Sequence, residues 1–367
     1  MDIYLQFNLG DDLFLDILAK KFPDCLFTVN YLGNNYDNFF QNYHNVQRRK
    51  YTLLNKIGQR LKISDSISNY DNVAENHDAL LFIGGSIFRE ETYHNALYNE
   101  RLKMVNEFKK QDKKVFVLGA NFGPFKTDDF FQNYKEFFRL CDDVCFRDQY
   151  SFHLFKDLKQ VRYAPDIVFQ MDISNYKHIK MEKKVGFSII DVRHKHGLSD
   201  YHVSYVNSTV KAIQNFVDKG FECYLISFCD SEGDLKVIKE ILLNLSPKVK
   251  ESVHIYEYKG NLKEAISLIA SFKLLIAARF HANILGLLLG IGLMPIIYSN
   301  KTLNMLEDLK HTDVIINMDE LSLQYDCETI EKTWTNCMKL DQVSQVAINQ
   351  FASIDQFINQ DVFRGVI

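Results

Sequence analysis

Short apolar runs alternate with amphipathic stretches along almost the whole chain. In the first half, IYLQF, CLFTV, ALLFIGG, VFVLGAN, DVCFRD and VRYAPD read as strands, and DLFLDILAKKF and NERLKMVNEFKKQ carry the helical period between them. The pattern restarts at KVGFSII (184–190) and continues through FECYLISFC, VHIYEY, LLIAA and MPIIYS, with helical stretches such as SYVNSTVKAIQNFVDKG and NLKEAISLIASF interleaved. This alternation predicts a parallel α/β architecture. The polar, lysine-rich joint MDISNYKHIKMEKK (171–184) divides it. The expected organisation is a Rossmann-like domain over 1–175, a second over 183–327 and a helical segment, 328–367, packing back on them. Two such domains would face each other across a cleft.

One stretch departs from the pattern. IAARFHANILGLLLGIGLMPIIYSNK (276–301) is uncharged from Ala282 to Asn300, about the length of a membrane-spanning helix. Asn283, Gly286, Gly290, Gly292 and Pro295 break it, so a buried strand, helix, glycine turn and second strand are expected instead. The residues needing an explanation are Arg279 and His281, because a buried unpaired charge costs several kcal/mol.

In parallel α/β sheets, ligands sit beyond the carboxyl ends of the strands, where helix N-termini point outward. Arg279 falls at the end of the LLIAA strand and His281 at the mouth of the next helix. The expectation is that Arg279 leaves the core and offers its planar fork to a carboxylate or phosphate. His281 would be an acid–base group whose charge follows anion binding. The competing reading pairs Arg279 with a buried carboxylate and has His281 satisfy backbone groups.

The first half repeats the feature. Arg147 ends the DVCFRD strand, with Asp148 as N-cap and Ser151 in the first helical turn. Arginines converging from opposite walls would suit a small ligand with two anionic groups; the structural alternative is an Arg147–Asp166 ion pair. The glycine-containing loops NLGDD (8–12), IGGSIF (83–88) and LGANFGPF (118–125) together suggest a binding rim, although none is GxGxxG or a Walker loop.

Composition narrows the classes. With 47% hydrophobic and 25% charged residues the chain suits a soluble globular protein, and a net charge of -4 gives no footing for nucleic acid. Seven cysteines without CxxC spacing fit reduced thiols in the cytoplasm. The opening MDIYLQFNLGDD has no signal-peptide pattern. His194 and His196 in DVRHKHG lack the partners of a metal site.

The ordered set NLGDD, LLFIGGSIF, LGANFGPF, VCFRDQYSFHLF, YAPDIVF and LIAARFHANILGLLLGIGLMPIIYSNK resembles the polysaccharide pyruvyl transferases. That family's pattern has an Asn-x-Gly-Asp start, a Gly-Gly strand end, a Gly-Pro loop, an Arg-Asp-x-x-Ser turn, a Pro-Asp pair and a late Arg-x-His-Ala segment with a downstream Tyr-x-x-Lys. The likeness runs from about residue 8 to 310. It implies a GT-B-like fold and transfer of the enolpyruvyl unit of phosphoenolpyruvate onto a sugar diol, with no cofactor and no metal. The family's functional arginines fall on Arg147 and Arg279 and its histidine on His281. Substrate-binding positions fall on Asn8, Gly10, Asp11, Gly84, Gly85, Asn121, Gly123, Ser151 and Lys301.

The implied partners are phosphoenolpyruvate and a sugar or lipid-linked oligosaccharide acceptor, which would bring a cytoplasmic protein to the inner face of the membrane. Two departures stand out: Pro295 comes late in GIGLMPII, and the Asn- and Tyr-rich region 30–77 matches no motif. A nucleotide-sugar glycosyltransferase and a non-catalytic binding protein on the same fold stay open as alternatives.

Overall fold

The computed structural model describes residues 1–50, 53–61, 69–179, 181–193, 195, 197–312, 315–321, 332–338 and 340–364. His194 and His196 lie outside the described residues, as does part of the 328–367 segment. Two compact units result. The first comprises Met1–Leu5, Asp16–Ile167 and Gln345–Ile367, and the second Gln6–Leu15 and Val168–Ser344. The sequence-based bounds of 1–175 and 183–327 are therefore corrected at two places: residues 6–15 and 168–175 go with the second unit.

The first unit holds β1 (Phe27–Val29) and β2 (Val46–Arg48) as a small parallel pair. Its main sheet is parallel, in the order β3 (Ala79–Ile83), β4 (Lys114–Ala120), β5 (Asp143–Phe146) and β6 (Val161–Tyr163). The crossover helix Asp128–Leu140 shows why the sequence folds so. Thr127 caps it, accepting from the Phe130 N–H at 3.3 Å, and its apolar face buries Phe130, Tyr134, Phe137 and Phe138. These rings meet Phe82, Phe88, Phe122 and Phe155 in a core dominated by aromatic side chains.

The run IYLQF is not a strand. Only Asp2 bridges to the sheet, at Phe82, and at Phe7 the backbone turns left-handed (φ 49°) before the helix Leu9–Lys21 begins.

The second unit carries a six-stranded parallel sheet. Its strands are β7 (Lys184–Ile189), β8 (Glu222–Ser227), β9 (Val253–Glu257), β10 (Leu274–Ala277), β11 (Gly292–Ile297) and β12 (Ile316–Asn317), ordered β12-β11-β10-β7-β8-β9. The chain runs outward from β7 to β9, then crosses back to lay β10 on the other side of β7. That reversal places a topological switch point between β7 and β10, where the crevice of an open α/β sheet forms. The core packs Val185, Phe187, Leu225, Leu274, Ile276 and Met294 against helices that contribute Tyr205, Ile213, Phe216, Val237 and Ile241.

The long apolar stretch resolves as expected into the end of β10, the helix Phe280–Leu289 and β11. Among the described residues no helix is long and apolar enough to cross a membrane.

Candidate functional site

In the second unit the switch point is built around Arg279. It is the N-cap of the Phe280–Leu289 helix, in extended conformation (φ −74°, ψ 139°), and its backbone N–H donates to Ser188 Oγ of β7 at 3.1 Å. Its side chain does not leave the core. Nε donates to Asp234 Oδ2 at 3.2 Å, Nη2 to Asp234 Oδ1, and Nη1 to Glu232 Oε2 at 2.5 Å. Asp234 is itself fixed, with Oδ2 accepting the Phe228 and Cys229 N–H groups at 3.0 Å each.

The expectation of an arginine exposed beyond the strand end is corrected: Arg279 is 7% exposed. The physical reason is the acidic loop that follows β8. It brings two carboxylates onto one guanidinium and so removes the cost of burying it. Burial alone would raise the Glu232 carboxyl. The charges of Arg279, Lys195 and Lys301 outweigh it and pull Glu232 down to about 2.

Two ammonium groups complete this cluster. Lys195 Nζ is 3.7 Å from Glu232 Oε2 and 5.7 Å from the centre of the Tyr298 ring. Lys301 Nζ is 5.8 Å from that ring centre and 5.8 Å from that of Phe280. Arg279 thus braces a cationic strand edge, while the lysines supply its more accessible charge.

His281 lies in the first turn of the Phe280–Leu289 helix. Its half-buried ring packs edge-on against Phe280 (5.0 Å between centroids) and Phe14 (5.2 Å). It rests on Gly10: a Cβ there would come within 1.7 Å of His281 Nδ1. The NLGDD motif acquires a division of labour from this. Asn8 Oδ1 accepts the Gly10 N–H at 3.0 Å and starts the helix, and Gly10 leaves room for the imidazole. Asp11 is buried, and buried Asp12 accepts from the Tyr258 hydroxyl at 2.7 Å. Asn8, Gly10 and Asp11 therefore gather with His281 in the second unit. The glycine accommodates a side chain rather than the backbone approach of a ligand.

The first unit gathers the remaining predicted residues, apart from Lys301, at the carboxyl edge of its own sheet. Arg147 follows β5, is 4% exposed, and donates from Nη1 to Asp166 Oδ2 at 2.8 Å and from Nη2 to Asn121 Oδ1 at 2.7 Å. The alternative reading of an Arg147–Asp166 ion pair is what the structure contains. Asn121 also accepts from Ser86 Oγ at 3.1 Å, and its N–H donates to the Gly85 carbonyl at 2.9 Å.

A Cβ on Gly85 would fall 2.4 Å from Arg147 Nη1, so this glycine, too, makes room for the cation. Its neighbour Gly84 closes β3 onto β4, donating to the Leu118 carbonyl. Asp148 caps the next helix by accepting the Ser151 N–H at 2.7 Å, and Ser151 Oγ accepts the Phe122 N–H at 2.8 Å. Gly123 offers its carbonyl to Asn121 Nδ2 at 3.3 Å.

Sequence reading missed Glu232, Asp234 and Lys195. A signal for the acids was present: DSEGD places three carboxylates directly after β8, at the same kind of junction that singled out Arg279.

A family model described as polysaccharide pyruvyl transferase matches residues 8–300. Among solved structures, the S. aureus MnaA–UDP co-structure superposes with a TM-score of 0.59 at 12% identity, over 100% of this chain and 96% of that one. A putative UDP-N-acetylglucosamine 2-epimerase from Listeria monocytogenes gives 0.57 at 11% identity, over 98% and 96%. Anabaena Alr3699/HepE in complex with UDP and glucose gives 0.53 at 13%, over 97% and 96%. At these identities the likeness is one of fold: GT-B-like, an α/β chain of two parallel-sheet domains.

Proposed function

The chain belongs to the polysaccharide pyruvyl transferase family, and from that premise we propose that it moves the enolpyruvyl unit of phosphoenolpyruvate onto a sugar diol. The acceptor is a surface polysaccharide or its lipid-linked precursor, and the product is a cyclic ketal. One observation carries the reading. The Arg-x-His pair stands at the switch point of the second unit, with Arg279 locked by two carboxylates and His281 seated on Gly10 at a helix N-terminus.

The chemistry follows from the substrate. A proton added to the methylene carbon of phosphoenolpyruvate makes the central carbon electrophilic, and one sugar hydroxyl adds there and loses its proton. The C–O bond to phosphate then breaks, phosphate departs with both electrons, and the second hydroxyl closes the ketal with loss of its proton. His281 is the residue proposed to move a proton in this sequence, because imidazole exchanges protons near neutral pH.

Lys301 and Lys195, beside the helix N-terminus, supply positive charge for the donor's carboxylate or phosphate. Arg279 shapes this edge through Asp234 and Glu232. Arg147, the family's other arginine, is assigned a role in the same reaction from the first unit, held in place by Asp166 and Asn121.

Thermal shift separates this reading from nucleotide-sugar transfer, for which the UDP bound in two structural neighbours makes UDP-sugars the control. Phosphoenolpyruvate should raise the melting temperature of the wild-type chain, and less so that of Lys301→Ala. Stabilisation by UDP-sugars alone would overturn the assignment.

A further inference from the structure

We propose that Gln350, in the C-terminal segment beyond the 8–300 span of the family match, is the positioning residue for the Arg147–Asp166 pair. The argument starts from a fault in the sheet. The β4–β5 register shifts between Leu118 and Ala120, leaving Gly119 as an extra residue in the left-handed region (φ 68°). A bulge residue's N–H has no ladder partner and needs another acceptor when buried.

Gln350 Oε1 provides that acceptor, taking the Gly119 N–H at 2.9 Å. Its Nε2 faces three carbonyls: Ala164 at 2.6 Å, Pro165 at 3.1 Å and Phe146 at 3.4 Å.

These contacts fall beside the functional side chains. Phe146 immediately precedes Arg147, Pro165 immediately precedes Asp166, and Gly119 lies two residues before Asn121. One amide therefore ties together the chain segments that carry Arg147, Asp166 and Asn121. Gln350 is itself held. It is fully buried, Arg162 Nη2 donates to its carbonyl at 2.9 Å, and Arg162 is paired with Asp143 at 2.7 Å. Phe351 packs on Phe22 with centroids 5.8 Å apart, and Phe357 on Phe116 at 5.6 Å. Packing alone would be served by an apolar side chain; a buried amide spanning three strand ends fixes their mutual spacing.

The functional consequence rests on the pyruvyl-transfer reading, whereas the positioning itself does not. The test uses the full chain with Gln350→Met, which keeps length and loses every hydrogen bond. Gln350→Glu accompanies it; this variant keeps the Gly119 acceptor and regains an O–H donor only when protonated. In Gln350→Met, amide exchange of peptides covering 118–122, 144–151 and 162–167 should rise about tenfold or more, the factor equivalent to 1.4 kcal/mol. Peptides of β7 and β10 should be unchanged.

The KM for phosphoenolpyruvate should rise by about the same factor, with kcat less affected. For Gln350→Glu, KM should recover toward wild type as pH falls. Unchanged exchange, or raised exchange with an unchanged KM and a pH profile parallel to wild type, would overturn the proposal. If the wild-type chain does not use phosphoenolpyruvate, the reaction assignment fails and the exchange pattern alone decides on Gln350. If Gln350→Met does not fold, the wild-type Gly119 amide decides: it should exchange as slowly as that of Val117, and fast exchange would overturn the proposal.

Discussion

Gly10 lies directly beneath His281, so close that a single added methyl would sit 1.7 Å from the imidazole Nδ1. The same relation recurs in the first unit, where a methyl on Gly85 would fall 2.4 Å from Arg147 Nη1. Each glycine leaves room for a side chain to which the proposed reaction assigns a role.

Substitution at Gly10 separates stability from activity. In a helix, alanine is favoured over glycine by about 1 kcal/mol, so Gly10→Ala strengthens the Leu9–Lys21 helix locally while expelling the His281 ring. The expected outcome is a loss of turnover of at least about tenfold in a chain that still melts cooperatively. Gly85→Ala should behave likewise through Arg147. Steady-state kinetics beside a melting curve read both effects, and full activity in Gly10→Ala would contradict the assigned position of His281.

Asp166 is fully buried against Arg147. Removing one partner strands an ionised group in the core, at a cost of about 3–5 kcal/mol. Asp166→Ala should therefore lower the urea midpoint sharply. The Asp166→Ala/Arg147→Met double variant, with no charge left to strand, should regain part of the loss. Equal midpoints for the single and double variants would show that the pair is not coupled in this way.

Acid should weaken the second unit through Glu232. Its folded-state value of about 2 lies below the ordinary 4.5. The unfolded chain therefore takes up the proton first. The stabilisation is complete above about pH 4.5 and disappears as pH falls toward 2, amounting to about 3 kcal/mol in all. Unfolding followed between about pH 5 and about pH 2 should show this slope in the wild-type chain and lose that share of it in Glu232→Gln. An identical slope in the variant would remove Glu232 from the account.

The pattern of apolar runs exposed β3, β4, β5, β7, β8, β10 and β11 because each is a mostly buried run, and it marked the less buried β1, β6 and β9 by their β-branched and aromatic residues. It failed at β2, β12 and IYLQF. Ile316–Asn317 pairs over two residues, Val46–Arg48 has only Val46 buried, and IYLQF dissolves at the left-handed Phe7.

For the site, local rules sufficed to mark junctions. Arg279, His281, Arg147 and the Asp148 cap are where a strand-to-helix reading puts them. Of their partners, Asp166 was legible as the alternative reading for Arg147, but nothing local links Arg279 to Asp234, 45 positions earlier. Nor does any local rule link Gly10 to His281, or the Gly119 bulge to Gln350, 231 positions on. The apparent paradox of an arginine in the least polar stretch has a simple physical answer: its counter-charges arrive from another strand end.

The most direct test of the central claim is to incubate the wild-type chain with phosphoenolpyruvate and a diol-bearing glycan acceptor, and to follow phosphate release and acceptor mass together. The account predicts one phosphate released for each acceptor that gains a pyruvate ketal, with both signals lost in His281→Ala. Phosphate release without ketal, or no reaction with phosphoenolpyruvate while a UDP-sugar is consumed, would contradict it.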